Sequence, residues 1–156
     1  MRVYIDTEFI EDGRTIELLS IGAVREDRRM FYAEPAETDR SKASPWVVEH
    51  VLPNLTGPVQ PRERIARDFV EFCGPEPVFW AWFADYDWVA LCQLFGTMMD
   101  LPEGWPMYCR DFKQTVDELG IDASQPDDSS AHHALHDAQW LAQTHARFLE
   151  GGLRPL

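Results

Sequence analysis

The apolar positions of this chain shift from strand-like runs to helical spacing partway along. RVYIDTEF (residues 2–9) carries the β-favouring Val3, Tyr4 and Ile5. Asp12-Gly13 supplies turn chemistry, and IELLSIGAV (16–24) follows, apolar enough to be a central strand. RMFYAE (29–34) is a third strand, after the charged turn from Glu26 to Arg28. These three predict an antiparallel meander. Residues 35 to 61 are richer in Pro and polar residues, with a short helix predicted around SPWVVEHVL and Pro45 near its first turn.

Helical spacing then takes over. Ile65, Phe69 and Phe72 lie on one face of PRERIARDFVEFCG, with Gly74 as a stop. PVFWAWF reads as a buried strand and DYDWVALCQLFG as a helix ending near Gly96. TMMDLPEGWP is a loop, MYCRDF a short strand, and KQTVDELG a helix stopped by Gly120. DASQPDDSS is a loop of breakers and cap residues. AHHALHDAQWLAQTHARFL is the last helix, with Leu135, Ala138, Leu141 and Ala142 on one face. Three early strands followed by strand–helix alternation predict an α/β domain. Its mixed sheet has about five strands, antiparallel and then parallel, flanked by helices.

The length, 156 residues, suits one domain spanning 1–156, and 45% hydrophobic residues with 12% aromatic ones suit a folded core. No apolar run has the length of a membrane span, and the first residues lack the basic start and apolar run of a secretion signal. Cys73, Cys92 and Cys109 are odd in number and have no CxxC spacing. They read as thiols of a cytoplasmic protein, not a disulfide framework or zinc site. Fourteen Lys and Arg against 27 Asp and Glu give a net charge of −13. That argues against a broad phosphate-binding face, but not against meeting phosphate through divalent cations, which reverse the local sign.

Charge becomes informative where carboxylates end apolar runs. Asp6 and Glu8, two apart in YIDTEF, point to one face of a strand. Asp85 and Asp87 follow PVFWAW, and Asp137 sits between core-facing residues of the last helix. A buried carboxylate is costly unless paired or bound to metal. No Lys or Arg lies between Arg67 and Arg110. A hard divalent ion with oxygen ligands fits this pattern.

His132 precedes Asp137 by five residues, about 140° around an ideal helix, so the two share a site only if His132 lies at or before the helix start. The upstream PDDSS offers N-caps such as Asp128 and Ser129. A loop-borne His suits a general base. His133 and His136 read as surface or supporting residues.

Asp6 and Glu8 in DTEF, Asp87 in YDWVAL, and His132-x4-Asp137 in HHALHDA together resemble the DEDDh group of 3′–5′ exonucleases. That resemblance implies a ribonuclease H-like fold. The form H-x-A-L-x-D-A selects His132, not His133, and the aromatic-Asp pair followed by Leu selects Asp87, not Asp85. DTEFIEDGRTIELLSIGAV with WAWFADYDWVALCQL is similar to the small bacterial polyadenylate-specific 3′-exoribonuclease AS group. Asp85 departs from the family pattern, and its reading is an N-cap or a charged neighbour of the site. Residues 35–61 carry no assignable motif.

The resemblance implies catalytic Asp6, Glu8, Asp87, His132 and Asp137, the four acids holding two Mg²⁺ or Mn²⁺ ions. His132 would take a proton from the attacking water, and 5′-nucleoside monophosphates would leave the 3′ end of single-stranded RNA. Phe9 is open to two readings, contact with the terminal nucleotide or core, and Trp82 shares the ambiguity. Trp46, Trp80, Trp88, Trp105 and Trp140 read as core. The sparse basic residues suggest short or weakly held substrates. RNA is chosen over DNA on the resemblance alone, which also suggests a homodimer. The rivals are a DNA exonuclease, an inactive nucleotide- or RNA-binding module, and a metal-stabilised structural domain.

Overall fold

The computed structural model describes residues 1–123 and 132–152. The loop DASQPDDSS, with its expected caps Asp128 and Ser129, lies almost wholly outside the described residues. The meander is present as β1 (Arg2–Glu11), β2 (Ile16–Arg25) and β3 (Met30–Pro35). The helices are α1 (Pro45–His50), α2 (Arg62–Cys73), α3 (Ala84–Phe95), α4 (Phe112–Glu118) and α5 (Ala134–Leu149). Three further strands, β4 (Val59–Gln60), β5 (Val78–Ala81) and β6 (Arg110–Asp111), complete a sheet in the order β4-β3-β2-β1-β5-β6.

The mixed sheet has six strands among the described residues, one more than the five segments read as strands. The additional strand, β4, is two residues long between Pro58 and Pro61, too short to leave a period, and it pairs parallel to the end of β3. β1, β2 and β3 pair antiparallel, whereas β5 and β6 add in parallel beside β1. Alternation along β1 splits the core. Val3 and Ile5 face Ile65, Phe69 and Leu91 of α2 and α3, while Tyr4 faces Phe112, Val116 and Leu141 of α4 and α5. A third cluster, Ile10, Leu19 and Val51, seats the segment around α1.

Two helix faces differ in detail from the pattern. On α2 the third fully buried residue is Cys73, with Phe72 half-buried beside it. On α5 the buried residues are Ala134, Ala138, Leu141, Thr144 and His145, and Leu135 and Ala142 are half-buried. The helix is rotated so that a polar pair, Thr144 and His145, enters the core. Among the described residues no helix is long and apolar enough to cross a membrane.

Candidate metal centre

β1 carries Asp6 and Glu8 on one face, and Asp6 pairs with Gly22 of β2. Gly22 permits the close approach that completes the site. A Cβ there would lie 2.2 Å from the backbone carbon of Ala134 and 2.3 Å from the Leu135 nitrogen. Only glycine lets the first turn of α5 sit directly on β2. That contact delivers Asp137, and one carboxylate oxygen each from Asp6, Glu8 and Asp137 falls within 4.8 Å of the others.

Asp87 adjoins this trio from the first turn of α3. One of its oxygens accepts from the Thr7 amide (2.8 Å) and the Thr7 hydroxyl (2.6 Å), so the residue between the two strand acids anchors the third element. Thr7 was the missed residue here. Its only sequence signal is its place between two carboxylates. The N-cap expected of Asp85 is not found. Asp85 is exposed in the first turn, the cap position belongs to Phe83, and the Ala84 amide donates instead to the Asp111 carboxylate (3.0 Å). Phe83 holds a left-handed φ of 59°, and α3 starts two residues earlier than a cap at Asp85 requires.

All four acids are pushed toward their neutral forms. Burial raises Asp6 well above the usual carboxylate range, and Asp87, Glu8 and Asp137 push it further. Burial, with Asp137 and Asp87, raises Glu8 to about 8. Asp87 rises to about 7, burial outweighing its bonds to Thr7, with Asp111 and Asp137 adding to the rise. Burial also raises Asp137, against the restraining amides of His133 and His132. Among the described residues no Lys or Arg forms an ion pair with any of them. Clustered hard oxygen donors without a cationic partner fit a divalent ion such as Mg²⁺ or Mn²⁺.

His132 lies two residues before α5, as its spacing from Asp137 requires. Its backbone is left-handed, with φ 66°, and its amide donates to the Asp137 carboxylate (3.0 Å). The ring meets Trp46 edge-on at 4.8 Å, and Trp46 stacks on His50. Trp46 is 51% exposed, which corrects its assignment to the core. Trp105 is buried, and Trp80, Trp88 and Trp140 are half-buried against the core clusters. Residues 35–61 thus place two aromatic rings and Asn54 against His132, although they carry no motif.

His133 is the residue before α5, stacked between Tyr32 and His136. Phe9 is half-buried and stacks on the exposed Tyr86 at 5.5 Å. A register irregularity between Glu8 and Phe9 breaks the simple alternation that would send Phe9 into the core. Trp82 packs against Trp140 and Phe112 on the α5 side.

Comparison with known proteins adds a family. The family described as "3′-5′ exoribonuclease Rv2179c-like domain" matches residues 1–149. Two relatives, from Mycobacterium tuberculosis strains H37Rv and CDC 1551, are named 3′-5′ exoribonuclease Rv2179c and 3′-5′ exoribonuclease MT2234.1. Each is 44% identical over 147 residues, covering 89% of this chain and 88% of the relative. Among solved structures, cell-death related nuclease 4 matches with a TM-score of 0.59 at 13% identity, over 97% of this chain, which spans 64% of that nuclease. A full-length 3′-exonuclease matches with a TM-score of 0.53 at 13% identity, covering 97% of this chain and 82% of the other. These two likenesses are of fold, and they accord with the ribonuclease H-like architecture expected of the chain.

Proposed function

This chain belongs to the Rv2179c-like family of 3′–5′ exoribonuclease domains, and from that premise we propose that it removes nucleotides from single-stranded RNA 3′ ends by a divalent-metal-dependent reaction of the DEDDh kind. It is an enzyme of the phosphodiester hydrolase class. The observation that carries the metal-dependent reading is the convergence of Asp6, Glu8 and Asp137 within 4.8 Å, without a Lys or Arg ion pair among the described residues. RNA as substrate follows the family description and the relatives' names.

In this reading Asp6, Glu8 and Asp137 hold two Mg²⁺ or Mn²⁺ ions, with Asp87 completing the ligands through the oxygen that Thr7 leaves free. Bound there, the ions supply positive charge to the scissile phosphate and the departing 3′-oxygen. Asp6, whose carboxyl feels the charge of all three other acids, would be a ligand common to the ions. His132 takes the proton of the attacking water on an imidazole nitrogen. Its backbone amide bond to Asp137 ties the residue to the acid cluster. Phe9, stacked on Tyr86 and next to Glu8, offers an aromatic edge to the terminal nucleotide. The products are 5′-nucleoside monophosphates. Residues 1–156 act as one exonuclease domain in the cytoplasm, of the polyadenylate-specific AS type, and as a homodimer.

The test uses 5′-labelled RNA and the matched DNA strand, each with Mn²⁺ and with EDTA. A ladder shortening from the 3′ end of RNA with Mn²⁺, absent with EDTA, is expected. Shortening that survives EDTA overturns the metal-dependent reading, and digestion of the DNA alone overturns the substrate.

A further inference from the structure

The excursion between Arg40 and Gly57 has no motif, yet both ends close on one buried carboxylate. Glu34, 1% exposed, accepts from Arg40 (2.8 Å), from the Gly57 amide (2.7 Å) and from the Tyr32 hydroxyl (3.0 Å). Between these ends Val51 packs on Ile10 and Leu19, so α1 and the 3-10 turn Leu52–Asn54 rest on the sheet. The excursion is stapled at its base and seated at its middle.

Its last turn reaches the other side of the site. The Asn54 side-chain amide donates to the His132 carbonyl (3.1 Å) and to the His50 carbonyl (2.9 Å). His132 is thereby held at both polar backbone groups, its carbonyl by Asn54 and its amide by Asp137. This happens at a residue with φ 66°. That conformation is uncommon for a residue other than glycine, and contacts at its backbone help to hold it. Both donated bonds leave from one nitrogen, so the Asn54 amide has a fixed orientation. An acid there would set carboxylate oxygens against two carbonyls.

We propose that Asn54 is a positioning residue, holding the left-handed backbone of His132 so that its imidazole can be presented to the Asp6–Glu8–Asp137 cluster. This rests on His132 being the general base. A displaced base loses turnover steeply, because small errors of placement at the reacting atoms are expensive. Substrate affinity has no reason to change with it.

The experiment compares Asn54→Ala and Asn54→Asp in the full chain, alone and combined with His132→Ala. It reads kcat and KM on RNA with Mn²⁺, Tm, and amide exchange at His132 without metal. Asn54→Ala should lower kcat by about tenfold at unchanged KM and hasten His132 amide exchange, with Asn54→Asp worse. On the His132→Ala background Asn54→Ala should cost nothing further. An equal loss on both backgrounds, or unchanged kcat, overturns the proposal. If Asn54→Ala lowers Tm, the same cycle run with Asn54→Ser, which keeps one donor, decides between the two outcomes. If His132→Ala itself leaves turnover intact, the general base has been misassigned. If His132→Ala loses turnover and Asn54→Ala does not, only the role of Asn54 falls.

Discussion

Helix α5 takes an ionisable side chain out of water toward each end, and the surroundings treat the two differently. Asp137, in the first turn, meets Asp6 and Glu8. His145, two turns on, is 2% exposed among Trp80, Phe112 and Phe148, with its Nδ1 3.0 Å from the Tyr4 hydroxyl. Burial favours the neutral form of both. It raises the Asp137 carboxyl, and it lowers the His145 imidazole to about 4, with Arg2 adding to the effect. His145 as a neutral ring has a hydrogen-bond partner and aromatic neighbours, so it is core. Asp137 has two more carboxylates and, among the described residues, no Lys or Arg ion pair. Burial alone does not mark a functional group. Burial among like charges, with no cationic ion pair among the described residues, does.

The largest effect that would break this comparison lies at the acid end. Asp6→Ala should lower RNA turnover by at least about a thousandfold, the scale lost when a group that stabilises transition-state charge is removed. The metal-free Tm should hold or rise, because one of several repelling carboxylates is gone. Full activity in Asp6→Ala would refute the metal centre. The next effect lies at the other end of the helix. His145→Ala opens a cavity among aromatic rings and should destabilise the fold by about 2–4 kcal/mol in urea titration. Well below its Tm, it should keep near-normal turnover per folded molecule. Lost turnover at unchanged stability would place His145 in the chemistry and erase the contrast.

The same contrast shows what could be read in advance. That Asp6, Glu8 and Asp137 meet, with Asp87 and His132 tied to the same place, could be expected because each sits in a short motif of the sequence. The meander and the alternating half were legible because period-2 and helical spacing are local signals. Gly22 was visible in SIGAV but mute, since its role depends on a helix more than a hundred residues away. Thr7, Asn54 and the Glu34 staple act through contacts between distant segments, and no spacing rule encodes them. β4 has only two residues and no period to detect. Asp85 looked like a helix cap because caps are read locally. The capping carboxylate comes from Asp111, on the neighbouring strand β6.

The smallest effect sharpens the comparison by its sign. Glu8 is raised to about 8 and Asp87 to about 7 from ordinary values of 4.5 and 3.8. Between those limits the folded, metal-free protein holds protons that the unfolded chain has released. Stability therefore falls as pH rises through that window. His145, lowered from 6.5 to about 4, has the opposite sign. Below its ordinary value the unfolded chain binds the proton first, so stability rises with pH there and is complete above 6.5. Of these three groups the two acids then act between pH 6.5 and 8. Over that interval the metal-free Tm should drop by about 3–6 °C. Mn²⁺ should raise Tm more at pH 8 than at pH 6.5, because ions displace protons from the carboxylates they bind. Glu8→Gln should flatten the slope, since it removes a carboxyl that is raised to the top of that interval. A wild-type Tm that is flat across this interval without metal would mean that the cluster is already ionised and solvated, and the acid end of α5 would then need no cation to relieve it.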